Sequence, residues 1–304
     1  MPFQLYQKQT PAVLPDFSPN DKINNAALYL PSDSLADAVN VALSVGQPLL
    51  LTGEPGTGKT QLAYHVAHQF DLGLPLVFNA QTTSTANDLF YKYDALGHFQ
   101  YNQNHEIALS SEEIEARFIH FNALGEAIRR QKRLVVLIDE IDKAPRDFPN
   151  DLLASIENLC FVIPELSNKE FKAAKNLRPI IILTSNSEKN LPDAFLRRVV
   201  YFHIPFPTPE DLLTILSTKT DTISETDLKA AINYFQMVRD LKMKKMPATS
   251  ELIYWVILLE QIGFPVSKLT SGNLSSSEKA QLNMSFSVLA KNKEDLEMLK
   301  SITN

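Results

Sequence analysis

The sequence predicts an α/β protein: an open parallel sheet of five strands with helices between them, followed by a smaller all-helical domain. Three observations carry the prediction. Short apolar runs recur, helix-like stretches separate them, and strand signals stop after Pro205-Phe206-Pro207. Leu49-Leu50-Leu51-Thr52, Leu134-Val135-Val136-Leu137-Ile138 and Pro179-Ile180-Ile181-Ile182-Leu183-Thr184 are nearly unbroken apolar sequence, the mark of strands covered on both faces. Pro75 to Phe78 and Val199 to Ile204 read as two further strands. Gln61 to Phe70 and Arg117 to Arg130 read as helices, and alternation of the two kinds of element predicts the open sheet.

The two prolines at 205 and 207 form a stiff connector. Thr208-Pro209-Glu210-Asp211 then starts a helix, with a hydroxyl cap, proline in the first turn and acids near the positive helix end. Leu228 to Leu241 and Ser250 to Ile262 follow with helical periodicity, and a looser pair lies between Ser277 and Ile302 after the loop 271–277. The expected domains are therefore 1–206 and 207–304.

Composition sets outer bounds. The 304 residues are 44% hydrophobic and 21% charged, ordinary values for a chain that buries a core. No apolar run approaches a bilayer-spanning length. Residues 1–17 show neither a basic start nor an apolar stretch of the secretory kind, and the single cysteine, Cys160, permits no disulfide framework or cysteine-rich zinc site within one chain. A cytoplasmic location is the expectation. The net charge of −6 weighs against sequence-independent DNA binding, which needs clustered cations.

Gly53-Glu54-Pro55-Gly56-Thr57-Gly58-Lys59-Thr60 fits the pattern GxxxxGK[ST] between a predicted strand and a predicted helix. Glycines let backbone N–H groups approach phosphate oxygens, and the helix start adds positive partial charge. Lys59 is then suited to neutralise the β- and γ-phosphates of ATP, and the Thr60 hydroxyl to ligate Mg²⁺. The run ending at Ile138 leads into Asp139-Glu140. There the first carboxylate suits the Mg²⁺ shell, and the second can polarise an attacking water as a general base.

The stretch LIDEIDKAPRDFPNDLLASIEN resembles the second Walker segment of MoxR-like AAA+ ATPases. Thr184-Ser185-Asn186 is similar to the family's sensor 1, with Asn186 the matching polar residue, and LPDAFLRR (191–198) is similar to its LPEAxLxR segment. The resemblance spans roughly residues 27–258. It implies a P-loop AAA+ module with a helical lid, Mg-dependent ATP hydrolysis, and an arginine finger presented to the neighbouring subunit, Arg198 first and Arg197 second. A finger acting in trans implies a ring, a homo-hexamer in this family. The resemblance also implies chaperone-like remodelling of a protein partner, such as a von Willebrand factor A domain protein. The competing readings are a nucleic-acid motor, a GTP-using restriction-type subunit, a magnesium-chelatase-like metal inserter and a slow nucleotide-gated scaffold.

The family pattern departs in two places. Glu251 falls where a lid arginine, sensor 2, is expected, with Lys244 and Lys245 as substitutes if they are not simply a solvated helix end. Phe90, Tyr91, Tyr93, Phe99 and Tyr101 form a dense aromatic segment, read as packing on the sheet in preference to a grip on a partner. His65 and His68 share a helix face but read as packing or solvent contacts, and Cys160 as a small core residue.

Overall fold

The computed structural model describes residues 24–105, 109–187, 191–220 and 222–303. The segment 1–17 that was read for a leader lies outside them. The described chain forms two compact units: residues 31–53 with 58–204, and residues 24–30 and 54–57 with 205–303.

The α/β unit opens with α1 (Asp33–Val45), capped by Ser32 and ended by the left-handed Gly46. In chain order follow β1 (Leu49–Thr52), α2 (Lys59–Gln69), β2 (Leu76–Asn79), β3 (Tyr91–Tyr93), α3 (Ala95–Asn104), α4 (Ser111–Phe118), β4 (Ile119–Phe121) and α5 (Ala123–Arg129). The unit continues with β5 (Val135–Asp139), α6 (Phe148–Asn158), β6 (Cys160–Ile163), β7 (Lys169–Lys172), β8 (Ile180–Thr184), α7 (Asp193–Leu196) and β9 (Val200–His203). The five predicted strands form one parallel sheet in the order β2-β5-β8-β1-β9. β1 is buried along its whole length, whereas the outermost strands β2 and β9 alternate between half-buried and exposed. That contrast is why the central runs are unbroken apolar sequence. Each fully buried leucine or isoleucine there, Leu50, Leu51 and Ile182 among them, contributes about 1.5–3 kcal/mol by leaving water.

Two antiparallel pairs, β3 with β4 and β6 with β7, were not anticipated. The first corrects the expected helix from Arg117 to Arg130, which is interrupted at 119–121. Ile119 and Phe121 face Tyr93 and Tyr91 across the ladder, a pairing that favours extended backbone over local helical preference. Asn122 then turns the chain, its amide N–H bonding Phe90 O at 2.9 Å and its side-chain NH₂ bonding Asp88 O at 2.7 Å. Gly125 is required by this approach, because a Cβ there would lie 1.9 Å from Phe90 O.

Most of the aromatic segment packs. Phe90 is buried against Phe161 with ring centroids 4.8 Å apart, Tyr93 bonds His98, and Tyr101 stacks on His105. Phe99 is the exception and is 60% exposed. Cys160 is a free thiol and only half-buried at the start of β6, not the core residue expected from its neighbours.

The helical unit contains α8 (Pro209–Lys219), α9 (Glu225–Asp240), α10 (Thr249–Gln261), α11 (Lys268–Ser271), α12 (Ser276–Leu289) and α13 (Lys293–Ile302). Thr208 and Asp211 close a reciprocal cap on α8, with Pro209 at its first position. Ser275 and Glu278 do the same for α12. Trp255, Phe235 and Phe286 are fully buried, and the Trp255 indole N–H donates to Ser285 Oγ at 2.8 Å. Among the described residues no helix is long and apolar enough to cross a membrane.

Candidate nucleotide site

The parallel sheet order brings the carboxyl ends of β5, β8 and β1 side by side, the usual place for a ligand crevice in an open α/β sheet. β1 runs into Gly53, and α2 begins after Gly58, whose φ of 89° lies in the left-handed region. Gly58 thus turns the chain into the helix as no β-branched residue would. Lys59 is buried, and its Nζ donates to Gly53 O at 2.9 Å. Burial pulls its ammonium below the ordinary value, against the opposing pull of Asp139, Asp142 and Glu140.

Thr60, on the first turn of α2, donates to the Asp139 carboxylate, with oxygen separations of 3.1 and 3.2 Å. Asp139 ends β5, and its second partner is Thr184 at the end of the neighbouring β8. Thr184 donates to Asp139 and accepts the Glu140 backbone N–H at 2.9 Å. Glu140 itself adopts φ 56°, an uncommon conformation for a non-glycine residue, at the junction where the strand ends. Its side chain is ion-paired with Lys143 on the following turn. One residue beyond Thr184, Ser185 and Asn186 are tied down by Asp142. The Ser185 hydroxyl and the Asn186 backbone N–H each lie 3.1 Å from Asp142 Oδ1. The Asn186 side chain is exposed.

The tip of the phosphate loop, Glu54 to Thr57, groups with the helical unit. Glu54 pairs at 2.9 Å with Arg239 of α9, whose guanidinium also stacks 3.5 Å above the Phe206 ring. Thr57 folds back on its own turn, its hydroxyl donating to Glu54 O at 2.9 Å. Pro55 and Gly56 are exposed. Gly56 has φ 76°, and a Cβ there would come within 2.7 Å of Ala248 and Ser250.

The structure therefore brings Lys59, Thr60, Asp139 and Glu140 together with Asn186 at one edge of the sheet. Arg197 and Arg198, at the end of α7, are exposed. Arg198 pairs with Glu157 at 3.7 Å, and no described bond ties either arginine to the cluster. Glu251 accepts the Ala248 N–H at 2.9 Å and pairs with Lys291. Lys244 and Lys245 donate their backbone N–H groups to Asp295. Three cluster residues lay inside the quoted motifs but were given no role by motif reading: Thr184, Asp142 and Lys143. Thr184 carried a faint signal, a hydroxyl closing an apolar strand, but its role depends on β8 lying next to β5.

The oxygen donors at Thr60 and Asp139 are the hard ligands that Mg²⁺ prefers, so the residues present fit that ion. Fold and strand-end cluster together define an α/β protein of the P-loop nucleotide-binding class. A family model, the AAA domain of the dynein-related subfamily, matches residues 48–199, half of the chain, which belongs to this family of AAA+ ATPases in its MoxR-like branch. The gas vesicle ATPase GvpN of Haloferax mediterranei is 27% identical over 65% of this chain, and GvpN1 of Halobacterium salinarum is 26% identical over the same share. The chain spans 58% of the length of these curated relatives. A solved structure of the RuvB Holliday junction branch migration motor of Thermotoga maritima is 13% identical, with a TM-score of 0.43 covering 83% of this chain and 73% of that one.

Proposed function

We propose that this chain binds Mg-ATP, hydrolyses it with Glu140 as general base, and uses the cycle to remodel or assemble a protein partner. The observation that carries the reading is the hydroxyl–carboxylate lattice in which Thr60, Asp139, Thr184 and the Glu140 backbone are joined. Thr60 and Asp139 would hold Mg²⁺, which supplies charge neutralisation to the phosphates. Backbone N–H groups of residues 53–60 and the Lys59 ammonium would bind the phosphate chain. Glu140 would take the proton of the attacking water once released from Lys143, with Asn186 orienting that water.

Arg198, or else Arg197, would complete the site of a neighbouring subunit. Its exposed position supports a role in trans, and with it a ring, hexameric by family resemblance. The name ATPase borne by the curated relatives supports ATP as the nucleotide. Residues 207–304 would act as the lid and the α/β domain as the motor, in the cytoplasm. A von Willebrand factor A domain protein is the first partner to test.

The test is ATP turnover across a protein dilution series for the wild type, Glu140→Gln and Arg198→Ala. Turnover should fall on dilution, and each variant should lose about a hundredfold or more. Turnover that survives Glu140→Gln would remove the general-base assignment. Undiminished specific activity on dilution would remove the shared site, and stimulation by DNA with no response to protein partners would favour the nucleic-acid motor.

A further inference from the structure

The α/β unit has a second concavity, at the opposite end of its strands from the nucleotide cluster. A cavity of about 430 Å³ opens at the amino ends of β1 and β8. Leu49, Ile180 and Ile182 form its aliphatic floor, with Ala42 and Leu43 of α1 on one side and Phe70 and Leu72, just past α2, on another. Its volume lies within the range of ligand-accepting pockets, about 300–1,000 Å³.

The charge around it is one-sided. Arg133, Lys175 and Arg178 line the cavity, and no carboxylate does, although the whole chain carries a net −6. Arg133 donates to Asn176 O at 2.9 Å and Arg178 to Ile156 O at 3.3 Å, neutral partners that leave both charges uncompensated. None of the three cations has an ion pair among the described residues. Such a rim favours an anion next to an apolar group.

Phe70 on the cavity wall is 53% exposed. A small metabolite seated on the floor would leave part of that ring in water, whereas a peptide crossing the cavity would cover it.

We propose that this cavity docks an acidic segment of a protein partner. One large apolar side chain seats on the floor, and flanking carboxylates meet Arg133, Lys175 and Arg178. The site is separate from ATP chemistry and gives the partner a place to bind at the strand end away from the phosphate loop.

The experiment uses the full chain without nucleotide and a fluorescein-labelled peptide with Phe-Leu at its centre and acidic residues on both sides. Anisotropy should show saturable binding with Kd below about 1 mM, weakening at least about tenfold in Lys175→Glu and in Phe70→Ala. Binding should also weaken with salt, and a peptide with lysines replacing the acids should not bind. Unchanged ATP turnover in Lys175→Glu checks that the variant is folded. Absence of saturable binding, or equal binding of the basic peptide, overturns the proposal. Dodecanoate binding without peptide binding assigns the cavity to small amphiphiles and also overturns it. So does loss of self-association in Lys175→Glu without peptide binding, which assigns it to a second copy. Because no nucleotide is present, failure here leaves the ATPase reading standing, and an inactive ATPase leaves the docking site standing.

Discussion

The two units of this protein both bury polar side chains, but they use them differently. In the α/β unit Thr52, Lys59, Thr184 and Ser185 are buried at the carboxyl ends of strands or the start of α2, close to one edge of the sheet. In the helical unit Ser285, Asp295 and Thr303 are dispersed, and each closes a local structural contact: with the Trp255 indole, with two backbone amides, and with Asn283. A buried polar group therefore points to chemistry when several converge on one strand-end edge. Dispersed ones with their own partners are part of the packing.

The sharpest test of that contrast uses a packing residue inside the α/β unit. Gly125→Ala places a methyl group against Phe90 O and should destabilise that unit by about 3 kcal/mol, read as a lower unfolding midpoint. A variant as stable as the wild type would mean that the contact between α5 and the β3 approach is looser than the structure has it.

Next comes the helical unit's own buried acid. Asp295→Ala removes the acceptor for Lys244 N–H, Lys245 N–H and the Asn292 side-chain amide, and should cost about 2 kcal/mol in stability. Burial pushes the Asp295 carboxyl up, but the two backbone amides, Asn292 and the Lys244 charge together hold it below its ordinary 3.8. The folded value is thus depressed. Its stabilisation is present above the unfolded value and fades as pH falls through the folded one. The stability gap between wild type and Asp295→Ala should be full at pH 7 and shrink below about pH 4. A gap independent of pH would count against the ionised carboxylate as its source.

Thr184→Val reverses the expectation. It deletes the hydroxyl between Asp139 and the Glu140 N–H while keeping the shape, so turnover should drop about tenfold while stability falls by about 1 kcal/mol, less than in Asp295→Ala. If stability fell and turnover held, Thr184 would belong with the dispersed packing groups and the contrast between the units would fail.

The smallest effect is expected at Lys143, which holds its proton more firmly because it hydrogen-bonds Glu140. It is exposed, so Lys143→Ala should change turnover by less than about fivefold, as for other solvated ion pairs. A larger change would give the lysine a part in delivering Glu140.

By itself the sequence determined the elements whose physics is local. The five strand signals became the five strands of one parallel sheet, and the three central runs are unbroken because doubly covered strands must be apolar throughout. Thr208-Pro209 started α8 because capping is chemistry between residues three apart. The GxxxxGK[ST] spacing and Asp139-Glu140 were readable because phosphate and metal chemistry restricts residue types at fixed intervals. Tertiary structure decided what depends on distant pairing. The extended stretch at 119–121 exists because Tyr91 to Tyr93 lies alongside it, and nothing in its own ten-residue neighbourhood announced that partner. Asp142 reaches Asn186, and Thr184 reaches Asp139, only because β8 is laid next to β5, 45 residues away in sequence in the Thr184–Asp139 pair. The uncompensated cations of the second cavity were equally invisible in a net charge of −6, since a sum over the chain says nothing about where its terms lie.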